Sequence, residues 1–204
     1  MSMKRMTIAD KREIPNIAIF LKRTTIEFLQ ILFSTRAPGS YQYLDDESKT
    51  EIQISDQHVS DLEAVHTRPM IVGVRGPLSW QGMGLGGSAF EGQNMLTGKQ
   101  TFNDLIIGSM AFSCFSREGT EAEEIAHLVF NSFKFFRPEL QKYGFFTIKS
   151  LNIGSESLIV QDGTHDDLYS VPVYITAQIQ DRWTLSNESA KKLRELIFEI
   201  TTNP

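Results

Sequence analysis

Apolar residues recur at helical intervals near the start of the chain: Ile17, Leu21, Phe28 and Leu32, with Ala18, Ile31 and Phe33 widening the stripe. Asp10 and Glu13 carry the spacing of a capping box, and Pro15 suits a first helical turn. "APG" after Arg36 ends the pattern, so the spacing predicts a long helix that stops near Arg36. A helix apolar over so much of its girth needs cover on more than one side. Residues 37–68 are polar and lose periodicity, apart from the alternation in "EIQI", which predicts a short strand. "RPMIVGVRG", residues 68–76, predicts a strand with Met70, Val72 and Val74 on one face.

The clearest alternation runs through residues 101–116. Ile107, Ser109, Ala111, Ser113 and Phe115 share one side, and Ile106, Gly108, Met110, Phe112 and Cys114 the other. The period then turns helical. Thr120 and Glu123 form a T-x-x-E capping box, and Ala122, Ile125, Ala126, Val129, Phe133 and Phe136 make one face. Pro138 predicts a break near Arg137, and Gly144 closes the segment. "FFTIKSLNI", residues 145–153, reads as a strand, and "ESLIVQD" extends it or begins another. After the turn "DGTHDD", residues 168–185 alternate again, with Val171, Val173, Ile175, Ala177 and Ile179 facing one way. Pro172 predicts that this end lies at a sheet edge or a bulge. "SNESAKKLRELIFEI" predicts a last helix capped by Ser186.

Glycines punctuate residues 79–100 and predict a long flexible loop. The element order therefore gives an α+β fold: a mainly antiparallel sheet with helices packed on one face. The expected organisation is one domain over residues 1–204, with an irregular acidic and glycine-rich insertion at about 37–100.

Composition narrows the function classes. The 204 residues are 41% hydrophobic and 22% charged, which is ordinary for a globular chain. A net charge of -5 argues against a surface that grips nucleic acid, although an acidic lining that lets DNA slide past is compatible with it. Cys114 is the single cysteine, so no intrachain disulfide or thiolate cluster is expected and a reducing compartment fits best. Lys22, Arg23 and Glu27 interrupt the longest apolar region, Ile14 to Phe33, so no membrane span is expected. No secretory leader is read at the start, and a soluble protein made in the cytoplasm is the expectation.

Catalytic signatures are weak. Gly82, Gly84 and Gly87 spell G-x-G-x-x-G, but a dinucleotide turn must open into a helix, and Gly92 and Gly98 follow instead. "GQNMLTGKQ" misses the phosphate-loop spacing and has Gln100 where Ser or Thr should hold magnesium. His58, His66, His127 and His165 lack ligand spacing, and "HDD" at 165–167 reads as a solvated turn. No G-x-S-x-G is present, and Cys114 sits inside a strand as a structural thiol. The expectation is a non-enzyme with no catalytic residue, metal or cofactor.

Aromatic residues carry more information. Phe130, Phe133, Phe135 and Phe136 surround one short helical stretch, and Phe145 and Phe146 lie on both faces of the next strand. Their own sheet cannot face them all, which predicts a homo-oligomer with Phe130, Phe135, Phe136 and Phe145 as candidate interface residues. Each phenylalanine buried at such an interface contributes roughly 1.5–3 kcal/mol.

The run "GSMAFSCFSREGTEAEEIAHLVFNSFKFF", then "GFFTIKSLNIGS", then "YSVPVYITAQIQDRWTL", gives strand, capped helix, strand, strand. With the N-terminal helix, this order and texture resemble the tail terminator and related neck proteins of long-tailed bacteriophages. The likeness covers about residues 100–185, and the insertion at 37–100 departs from it. The resemblance implies a structural virion protein without enzyme activity. Its copies would form a homo-oligomeric ring, usually a hexamer, at the head–tail joint, capping the tail tube and meeting the head connector. DNA would pass without specific binding, and Asp45, Asp46, Glu47, Asp166 and Asp167 are candidates for an acidic lumen. Trp80, Gly82, Gly84, Gly86, Gly87 and Phe90 are candidates for a loop that docks on a partner ring. The alternatives are another phage assembly part (connector adaptor, stopper, baseplate or tube-initiator protein) or an unrelated ligand-binding domain or enzyme.

Overall fold

The computed structural model describes residues 16–46, 48–56, 68–81, 89–93, 99–159 and 168–185. Three helices are present there: α1 (Ile17–Ser34), α2 (Gly119–Phe135) and α3 (Arg137–Lys142). The strands are β1 (Gln53–Ser55), β2 (Met70–Gln81), β3 (Ala89–Gln93), β4 (Gln100–Ser116), β5 (Phe145–Ile153), β6 (Ser157–Ile159) and β7 (Leu168–Leu185). They form one seven-stranded sheet in the order β1-β2-β4-β7-β5, with β3 paired to β4 and β6 to β7. β3–β4, β5–β7 and β6–β7 are antiparallel, while β1–β2 is parallel. The α+β class and the mainly antiparallel sheet follow the sequence pattern.

These residues group into two compact units. One comprises residues 16–79 and 107–179; the other contains the described parts of 80–106 and 180–185. The division at 79/80 falls inside the stretch 37–100 rather than at its ends. In the second unit β3 lies antiparallel to the start of β4, with Ala89 opposite Asn103 and Gln93 opposite Gln100, and a register shift between Phe90 and Gly92. The glycine-rich stretch thus contains a paired strand where the sequence pattern gave only a loop.

In the larger unit the strand faces divide as their alternation predicts. Gly108, Met110, Phe112 and Cys114 are buried, while Ile107, Ser109, Ala111 and Ser113 are only partly covered. A Cβ on Gly108 would lie 2.5 Å from Leu21 Cδ2, so its absence lets α1 approach the sheet closely. Further along β4, Phe112 stacks on Phe133 of α2. Both helices therefore cover the same face. Behind it, Met70, Val72 and Leu168 form a smaller cluster, with Phe115 and Ile159 partly buried against it. Val74, which shares the alternation of Met70 and Val72, is 39% exposed, so that face is covered unevenly.

Helix ends show where local rules held and where neighbours overrode them. Asn16 caps α1 by accepting a hydrogen bond from the Ile19 N–H at 3.2 Å. The Asp10–Glu13 box and Pro15 lie outside the described residues. At α2 the Thr120–Glu123 box does not form: the helix begins at Gly119, Glu118 is its N-cap, and its side chain makes no capping bond. Ser116, the last residue of β4, braces the helix start instead. Its hydroxyl donates to Glu121 and accepts from the Glu118 N–H. Pro138 ends α2 as expected, at Phe135, and then serves in the first turn of α3. Gly144 turns the chain into β5 at φ +107°.

Of the two expectations for Pro172, a sheet edge or a bulge, the edge is corrected and an interruption of the ladder is found. β7 is an interior strand, between β4 and β5, not an edge. Pro172 is tolerated because it falls at the join between two ladders on one flank: Ile153 pairs with Val173, and Ser157 with Ser170. Gly154 N–H donates to the Pro172 carbonyl across that gap at 2.7 Å. The final predicted helix, 186–200, lies outside the described residues.

Candidate functional site

The phenylalanines singled out from sequence separate into two groups. Phe145 is 4% exposed, with its ring 5.7 Å from that of Phe20 on α1. It belongs to the chain's own core, so its assignment to an interface is corrected. Its neighbour Phe146 points the other way on β5 and is 53% exposed. Phe130 is half-buried on α2. Phe136 stands edge-on to Phe28, centroids 6.1 Å apart, yet remains 40% exposed. Phe135 is the most open, at 66%, with Lys134 Nζ 5.6 Å from its ring centroid.

Phe135, Phe136, Tyr143 and Phe146 flank the six-residue helix α3, two before it and two after it. α3 packs on β5, and Gln141 Nε2 donates to the Phe146 carbonyl at 3.3 Å, holding the hairpin closed. Leu140 is the residue that anchors α3, at 1% exposure. The small helix therefore turns one apolar residue inward and leaves aromatic rings at both its ends outward. Lys134, Arg137 and Lys142 surround them, with Glu139 bonded to Lys142 at 2.7 Å. Sequence reasoning missed Tyr143, which has no periodic signature; it follows a helix too short to show one.

The opposite end of α2 is acidic. Glu118, Glu123 and Glu124 are exposed, and Glu121 is half-buried, beside the exposed Arg117. Tyr41 approaches from the loop after α1, its hydroxyl 3.3 Å from Glu124 Oε2. Burial, reinforced by the negative charges of Glu121 and Glu124, pushes the Tyr41 hydroxyl up to about 12. Tyr41 is held at φ +62°, in the left-handed region, by its surroundings. The Glu51 carboxylate provides the clamp: it accepts from Gly39 N–H at 2.6 Å and Gln42 N–H at 2.9 Å. The Gln42 and Gly39 amides lower the Glu51 carboxyl below its ordinary range.

Asp45 and Asp46 are exposed, as an acidic lining requires. Asp46 is tied locally: Ser48 donates from its hydroxyl at 2.7 Å and its backbone at 3.1 Å, and Lys49 lies 3.0 Å away. These donors, the Ser48 hydroxyl first, hold the Asp46 carboxyl low. Glu47, Asp166 and Asp167 lie outside the described residues. So do Gly82, Gly84, Gly86 and Gly87 of the proposed docking loop. Trp80, near the end of β2, is 58% exposed, and Phe90 pairs with Phe102 in the β3–β4 ladder. Ala89–Gln93, which follow the glycines, are strand where a dinucleotide turn opens into a helix.

Other chemistry is sparse among the described residues. No group of three or more His, Cys, Asp or Glu is placed to hold a metal, and no helix is long and apolar enough to cross a membrane. His127 is exposed on α2. Cys114 is fully buried, and burial drives its thiol far above the ordinary range. A shallow depression of about 360 Å³ lies along α1, lined by Ile19, Lys22, Arg23, Ile26, Glu27 and Asp56. Its charges are paired with one another, Lys22 to Asp56 at 2.9 Å and Arg23 to Glu27 at 2.6 Å, and do not converge on a common point.

The chain matches no protein-family model and no curated protein. What supports a function is therefore the geometry and the resemblance in element order.

Proposed function

We propose that this chain is a structural virion protein of the tail terminator type, acting through self-assembly into a ring at the head–tail joint of a long-tailed phage. The observation that carries the reading is the aromatic corner around α3. Phe135, Phe136, Tyr143 and Phe146 stay exposed although a larger, well-packed core is available a few residues away. Exposed aromatics of this density suit a contact with another protein surface. β5, which bears Phe146, stands last in the order of the described strands, beside the same corner. The ring would cap the tail tube below and meet the head connector above, with DNA passing through and Asp45 among the lumen acids.

Purified protein examined by light scattering and negative-stain microscopy tests the assembly, with rings expected. Particles produced without this chain test the place: unjoined heads and tails are expected. A persistent monomer at high concentration, with joined particles in the deletion, would overturn the reading.

A further inference from the structure

The two ends of α2 carry opposite signatures. At its start, Glu118, Glu121, Glu123 and Glu124 outnumber Arg117, and the exposed Glu156 lies alongside, its carboxylate next to Gly119. At its end, exposed Lys134, Arg137 and Lys142 outnumber Glu139 along the same stretch of chain as the aromatic corner, with Lys134 over the Phe135 ring. The helix has 17 residues, so the two surfaces are separated by about 25 Å. A rigid helix cannot fold back to let one satisfy the other within the same chain.

We propose that the basic aromatic corner at the end of α2 docks on the acidic start of α2 in a second copy of this chain. This rests on the ring reading above and names the two surfaces that meet. The corner supplies aromatic area: Phe135, Phe136 and Phe146 become buried. The charges set register and orientation, because exposed pairs at an interface rim steer association more than they tighten it. On the ring reading the contact is heterologous: each copy offers one surface to the neighbour ahead and the other to the neighbour behind. Such a contact closes into a ring when its rotation permits; an antiparallel twofold dimer would pair the same unlike ends reciprocally, and the mass of the assembly distinguishes the two.

The test is a charge exchange in the full chain. One variant carries Lys134→Glu with Arg137→Glu; the other carries Glu118→Lys with Glu123→Lys. These side chains are all exposed, and circular dichroism with thermal melts checks that both variants fold. Each variant alone is expected to need at least about tenfold more protein to assemble, since like charges then meet at every contact. An equimolar mixture is expected to recover wild-type assembly, in rings where the two variants alternate. Phe135→Ser in a wild-type charge background is expected to lose assembly without loss of fold. Should folded variants assemble as wild type does, or the mixture fail to recover, this pairing is wrong while a ring built another way survives. Should the wild type itself remain monomeric, the pairing fails together with the ring reading.

Discussion

Phe133 of α2 stacks on Phe112 of β4, with ring centroids 5.4 Å apart and planes 29° from parallel. Both side chains are fully buried, and Phe28 of α1 meets Phe133 at 5.2 Å, so one ring ties both long helices to the sheet. Phe133→Ala therefore leaves a cavity at the meeting point of three elements. The expected loss is about 3–5 kcal/mol in urea unfolding of the monomer. Phe135→Ala, two residues on, removes a ring that solvent already reaches, and its expected effect on the monomer stays within about 0.5 kcal/mol. Similar losses from both would contradict the division between core and surface drawn here.

Gly144 sits at φ +107°, and a Cβ there would approach Phe20 Cζ at 3.2 Å. Gly144→Ala combines backbone strain with crowding of the Phe20–Phe145 pair. About 1–3 kcal/mol of destabilisation is expected, read as a lowered thermal midpoint. An unchanged midpoint would show that the turn into β5 tolerates another conformation.

Glu51 gives the loop 37–51 an acid limit. Its folded carboxyl is lowered from 4.5, so the stabilisation it provides is complete above that value and is lost as pH falls through the lower, folded value. Asp46 and Asp56 are lowered from 3.8 and act in the same direction. Thermal midpoints are expected to fall in acid, and Glu51→Gln is expected to flatten the first part of that fall. An identical acid profile in the variant would remove Glu51 from the account.

Tyr41 sets a limit on the alkaline side. Its hydroxyl is raised from 10.0 to about 12, so it stabilises the fold fully below 10.0, and that contribution is lost as pH rises toward 12. Absorbance titration of phenolate should show a late-ionising component that disappears in Tyr41→Phe. A titration curve unchanged in Tyr41→Phe beyond the loss of an ordinary phenol would contradict the burial of the hydroxyl beside Glu121 and Glu124.

Cys114 should be silent to a thiol reagent in the folded protein, because burial disfavours the thiolate that reacts. Modification is expected to follow the rate of opening and to become immediate in denaturant. Rapid labelling of native protein would place Cys114 at the surface.

The sequence exposed those features that depend on near neighbours. Alternation from Gln100 to Ser116 marked β4, Pro138 marked the end of α2, and Gly144 marked the turn, because each acts through its own backbone. What escaped depended on partners distant in the chain. Phe145 and Phe146 are indistinguishable by type, and only the position of Phe20 decides which is core. The T-x-x-E box did not form because the helix starts at Gly119, one residue before Thr120, where the strand delivers Ser116 to bond the Glu118 N–H. Pro172 sits inside the sheet because β5 and β6 divide one flank of β7 between them, a relationship no local pattern records. β3 was hidden by the glycines around it, since its pairing with β4 lies in the ladder and not in side-chain periodicity.

The place of β7 in the sheet has a consequence for biogenesis. β4 emerges from the ribosome flanked by β2, but its other neighbour in the strand order is synthesised more than fifty residues later. Until then the part of β4 beyond its pairing with β3 lacks the β7 partner, and α1 and α2 have only part of a platform to rest on. Closure must wait for the strand that arrives last among the described elements, and any pause before β7 lengthens the interval in which a second nascent chain can pair in its stead.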